Sequence, residues 1–142
     1  MTVPADEIRK KVRLWAALAD DDLRVAQHTL DIADQCPYRL VAYHAQQCVE
    51  KYLKAYLVFS SVDFPFTHNI TRLLELCAAS SDWAEDLTDA EELTPFAIAA
   101  RYPGEDEPVT RSEAQRAIEV TEHVRRTVRA ALIAQDISLW PT

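Results

Sequence analysis

The 142-residue chain carries 15 Lys+Arg against 23 Asp+Glu, a net charge of −8, with one Gly, seven Pro and 49% hydrophobic residues. That composition fits one globular domain, residues 1–142, able to bury roughly 65–70% of its unfolded surface without disulfides, and it excludes disorder. The single glycine, Gly104, excludes a P-loop or a dinucleotide fingerprint, while frequent Ala and scarce β-branched runs favour helix over turn-rich sheet.

The first helix is predicted over Ala5 to Ala33, because Val12, Trp15, Ala19, Leu23, Ala26, Leu30 and Ala33 recur at steps of three and four. Asp20, Asp21 and Asp22 interrupt that stripe and read as a solvated face. Pro37 suits a helix start, and the second helix runs from Tyr38 to Phe59 with Val41, Ala45, Val49, Tyr52, Leu53 and Tyr56 buried. The segment SVDFPF connects it to a third helix, capped by Thr67, with an apolar face of Ile70, Leu73, Leu74 and Cys77. Thr88-x-x-Glu91 fits a capping box for a fourth helix ending near Arg101, although Pro95 inside it calls for a kink or a later start. Tyr102-Pro103-Gly104 stops the helix there. Thr110-x-x-Glu113 opens the fifth helix, whose inward face is Ala114, Ala117, Ile118, Thr121, Val124, Val128 and Ala131. Arg125, Arg126 and Arg129 fall late in it, where positive charge favours the helix dipole. Trp140 near the end is free to pack on the bundle or on another chain. The expected fold is all-α, an antiparallel bundle of about five helices with short connections.

No run of 18 apolar residues predicts a membrane span, and the N-terminus lacks the apolar core of a signal peptide, so a cytoplasmic protein is expected. Cys36, Cys48 and Cys77 form no CxxC and read as reduced core thiols. His28, His44, His68 and His123 lie on different segments without HxxxH or HExxH, so no metal site and no cofactor are expected. Tyr43, Tyr52 and Tyr56 read as core or dimer surface rather than a base-stacking platform.

The second helix holds the most chemistry. His44, Gln47, Lys51 and Lys54 recur at helical spacing on one polar face, and Glu50 pairs with Lys54 at i,i+4. The bland reading is a solvated face with an ion pair of a few tenths of a kcal/mol. The functional reading is a cationic ledge with amide donors for an anionic ligand or a partner.

HAQQCVEKYLKAYL, THNITRLLEL and AIAARYP, in that order and spacing, resemble the HEPN domain family over nearly the whole chain. The resemblance implies a bundle of about five helices that usually dimerises. It implies nucleotide binding, pairing with minimal nucleotidyltransferases and, in some branches, RNA cleavage by toxins. The matching positions are Gln47, Glu50, Lys51 and Lys54 in the second helix, His68 and Asn69 at the start of the third, and Arg101, Tyr102 and Pro103 at the end of the fourth. Structural roles stand beside these: Glu50 bonding across helices, His68 capping, Arg101 closing a buried ion pair.

The nuclease branch uses Arg-x4–6-His near the end of the fourth helix, with His moving the ribose 2′-OH proton and Arg stabilising phosphate charge. Here the positions after Arg101 hold Asp106, Glu107 and Pro108 and no His. One Arg-x4-His does occur, Arg39 to His44, but five residues of α-helix separate the two by about 140°. The expected role is therefore a nucleotide-binding or interaction module, a homodimer partnered by a separate nucleotidyltransferase, as in a toxin–antitoxin pair. The alternatives are a metal-independent RNase toxin and a structural dimer with no ligand.

Overall fold

The structure, a computed structural model, describes residues 4–98 and 108–141. Its elements are α1 (Ala5–Leu30), α2 (Tyr38–Phe59), α3 (Ile70–Ala78), a run of 3-10 turns over Ala84–Ala97, α4 (Arg111–Gln135) and a short 3-10 turn at Ile137–Leu139. No strand occurs among the described residues.

α1 and α2 form an antiparallel hairpin, closed by a connection in which Gln35 takes a left-handed backbone (φ 53°). α1 stops at Leu30, before Ala33. It buries Val12, Ala16, Ala19, Leu23 and Ala26, and Trp15 is only half-buried, its ring edge-on to Phe64 at 6.3 Å. α2 occupies the centre, and every residue of its predicted stripe is buried. Its C-terminus closes on a Schellman motif: Val62 N–H donates to Leu57 O, and Ser61 N–H to Val58 O. Ser61 takes the left-handed position that glycine usually fills (φ 57°).

α3 is capped by Asn69, not by Thr67 or His68: the Asn69 side chain accepts from Arg72 N–H at 3.1 Å, while Thr67 Oγ1 accepts from Asn69 N–H just before it. The predicted fourth helix is instead a 3-10 run that starts at Ala84, bends at Leu87 and contains Pro95. Leu87, Ala90 and Leu93, three apart, still bury, so the segment reaches the core without α-helical bonding. The end expected near Arg101 lies outside the described residues.

α4, the fifth predicted helix, starts at the Thr110/Glu113 capping box, with both reciprocal bonds made. Its predicted inward face is buried apart from Ala131, which is half-buried, and Thr121 donates from its hydroxyl to Ala45 O at 3.1 Å. Trp140 folds back on the bundle and stacks on the Arg129 guanidinium at 3.9 Å. Among the described residues, no buried side-chain nitrogen or oxygen lacks a hydrogen-bond partner.

Candidate functional site

Four of the residues singled out in the sequence meet at Glu50. This carboxylate sits on the inner edge of α2, 3% exposed. It accepts from Lys54 Nζ (2.6 Å), from His68 Nδ1 (3.0 Å), from Gln46 Nε2 (3.1 Å) and from Gln47 Nε2 (3.4 Å). Gln46 also donates to His68 O at 3.2 Å, which ties the start of α3 to α2. The local cause is helical spacing: Gln46, Glu50 and Lys54 are four apart and share a face. His68 arrives from the connector, with its ring against exposed Phe66.

Burial raises the Glu50 pKa, but hydrogen bonds from Lys54 and His68 and the Lys54 charge outweigh it, so the net shift is downward and Glu50 is ionised. An ionised carboxylate only accepts, so His68 Nδ1 donates. Lys54 is itself 6% exposed, with its ammonium 5.8 Å from both the Trp15 and Phe64 ring centroids. The Glu50–Lys54 pair is thus buried, not the solvated ion pair that spacing suggested.

Lys51, one turn away, belongs to a second cluster. Its ammonium donates to Asp22 Oδ2 at 2.5 Å, and His44 Nδ1 meets Asp22 Oδ1 at 2.8 Å. The Lys51 side chain is 25% exposed and that of His44 27%, so this pair forms an accessible rim beside the closed Glu50 layer.

A third cluster centres on Asp20. It accepts from the Tyr52 hydroxyl and from Arg125 Nε at 2.8 Å, and Arg129 Nη1 lies 3.6 Å away. Burial raises the Asp20 pKa, while the Arg125 and Tyr52 hydrogen bonds and the charges of Arg125 and Arg129 turn the net shift downward. Burial and the bond to Asp20 push the Tyr52 phenol up, and that bond holds Arg125 protonated. An open groove of about 400 Å³ runs beside this cluster between α1 and α4, lined by Asp20, Arg24, Gln27, Glu122, Arg125 and Arg126.

The aspartate triplet is therefore no solvated face; only Asp21 stays exposed. Asp20 and Asp22 lie about 160° apart around the helix, Asp20 reaching α4 and the Tyr52 hydroxyl and Asp22 reaching Lys51 and His44 of α2. The sequence did carry a signal: Asp22 keeps the stripe spacing, three residues after Ala19 and four before Ala26, and an acid there needs a buried partner. Arg125 and Arg129 are spent on Asp20 rather than only on the α4 dipole.

Arg101, Tyr102 and Pro103 lie outside the described residues. His44 of the Arg39-x4-His44 spacing is bonded to Asp22. No group of three or more His, Cys, Asp and Glu among the described residues could hold a metal ion. The cysteines are free: burial pushes Cys77 up to about 12 and Cys48 further, so both behave as small core residues. No helix among the described residues is long and apolar enough to cross a membrane.

This arrangement sits inside a recognisable class. The HEPN domain family model matches residues 12–131, and the chain belongs to that family, whose members are often dimeric. It is similar to the crystal structure of TT1696 from Thermus thermophilus, at 28% identity and a TM-score of 0.69, over 84% of this chain and 97% of that one. It is also similar to ST0689, an archaeal HEPN homologue, at 25% identity and a TM-score of 0.68, over 84% of this chain and 96% of that one. No curated protein matches the chain.

Proposed function

We propose that this HEPN domain is a nucleotide-binding and interaction module, acting as a homodimer and as partner to a minimal nucleotidyltransferase carried outside these 142 residues, in the manner of a toxin–antitoxin pair. The observation that carries the reading is the two-part layer on α2. Glu50, Lys54 and Gln46 form a closed frame, and Lys51, His44 and Gln47 form a half-exposed rim of donors next to it. A phosphate competes with Asp22 for Lys51 and His44, because that pair is partly solvated and exchangeable.

Metal-independent RNA cleavage is the less supported reading. The nuclease branch moves the proton with a histidine that follows the arginine after four to six intervening residues, and after Arg101 the chain has Asp106, Glu107 and Pro108 instead. The test is calorimetric titration of the purified protein with ATP, with and without Mg²⁺, beside Lys51→Ala. Saturable heat that disappears in Lys51→Ala is the expected result. No saturable heat from the wild type rejects the nucleotide part of the proposal.

A further inference from the structure

α1 carries a second apolar line that the bundle leaves bare. Leu14 is 60% exposed, Leu18 42% and Val25 44%, and Ile32, just past the helix, 45%. Steps of four and seven keep Leu14, Leu18 and Val25 within about 40° of one another on the helix. The core-facing stripe of Val12, Ala16, Ala19, Leu23 and Ala26 lies on a different side. Leu18, Val25 and Ile32 recur every seven residues, the spacing of a seam between two paired helices.

The charge pattern says which helix fits. Lys10 and Lys11, near the start of α1, are exposed and form no ion pair among the described residues. Asp31 and Asp34, at and beyond its other end, are exposed and equally unpaired there. A second α1 turned end for end sets the lysines of each copy against the aspartates of the other. A parallel copy sets lysine against lysine. Such self-complementarity defines an isologous two-fold contact.

We infer that α1 is the face through which two copies of this chain associate, packed antiparallel about an axis near Asp21. Leu18 of each copy packs against Val25 of the other, and the lysine–aspartate ends close the seam. Arg24, 3.8 Å from Asp21, offsets the two Asp21 carboxylates that meet at the axis. This rests on the homodimer reading above and names its surface.

The test is light scattering behind size exclusion for the wild type, Leu18→Glu/Val25→Glu, Lys10→Glu/Lys11→Glu, and Asp31→Lys/Asp34→Lys, with circular dichroism on each. The wild type is expected at twice the 16.1 kDa chain mass, and the Leu18/Val25 variant at half the wild-type mass with unchanged helical signal. Each charge variant alone also falls to the single-chain mass, and mixing the two restores the doubled mass, an outcome that misfolding cannot produce. A wild-type dimer that survives Leu18→Glu/Val25→Glu overturns the α1 face and leaves the homodimer standing. A mixture that stays monomeric overturns the antiparallel setting. A monomeric wild type overturns both readings.

Discussion

Glu50 and Asp20 are both carboxylates held in ionised form by cations, yet they are assembled in opposite ways. Glu50 draws Lys54, Gln46 and Gln47 from its own helix and His68 from the connector that follows. Asp20 draws Tyr52 from the next helix and Arg125 and Arg129 from the far end of the chain. Glu50 is sealed under Lys54, whereas the Asp20 side chain is 26% exposed beside an open groove. The contrast separates two jobs. The Glu50 layer fixes where α3 leaves α2, and the Asp20 cluster fastens α4 across the α1–α2 hairpin.

The largest effect is expected where burial is deepest. Glu50→Ala strands the Lys54 ammonium at 6% exposure, and urea unfolding should show a loss of about 3–5 kcal/mol. Adding Lys54→Met should recover most of it, because the cost lies in the unpaired charge. A small loss in Glu50→Ala would mean that water reaches the layer. Asp20→Ala should cost less, about 1–2 kcal/mol, since solvent screens the arginines it leaves behind. If the two losses come out equal, the distinction between a sealed and an open carboxylate fails.

The same comparison predicts an acid response. Both carboxyls are held below their ordinary values of 4.5 for Glu50 and 3.8 for Asp20. A carboxyl lowered in the folded state stabilises it above the unfolded pKa, and that contribution is lost as pH falls through the lowered one. Melting temperature should therefore hold near neutrality and drop once the pH passes below 4.5, with a shallower drop in Glu50→Gln. A decline of equal steepness in Glu50→Gln would place the acid-sensitive group elsewhere. At the smallest scale, Asn69→Ala should cost about 1 kcal/mol and Thr67→Ala less than about 0.5 kcal/mol, as thermal melts can resolve.

How much was readable follows from how far each partner lies along the chain. Pro37 and the stripe from Val41 to Tyr56 placed α2 at Tyr38–Phe59, where it stands, because both signals are local. Thr110 and Glu113 revealed their capping box for the same reason. The contact of Glu50 with Lys54 was visible in a four-residue step, but its burial was not, since Trp15 and Phe64 come from other segments. Asp20 is not legible locally, because nothing next to an aspartate announces an arginine a hundred residues later, whereas Asp22 falls on the buried stripe spacing and only its partners, Lys51 and His44 on the next helix, are hidden. The Ala84–Ala97 segment escaped because its apolar residues suit either helix type, and Pro95 alone does not choose between them.

An anionic ligand is proposed to bind at the partly exposed Lys51–His44 rim, in competition with the buried Asp22 carboxylate. The most direct test is calorimetric titration of ATP into Asp22→Asn, which keeps the side-chain shape and removes the competing charge. Tighter binding than the wild type is expected, by about fivefold for a pair worth about 1 kcal/mol. Unchanged or weaker binding in Asp22→Asn would contradict it and leave Lys51 as a structural partner of α1.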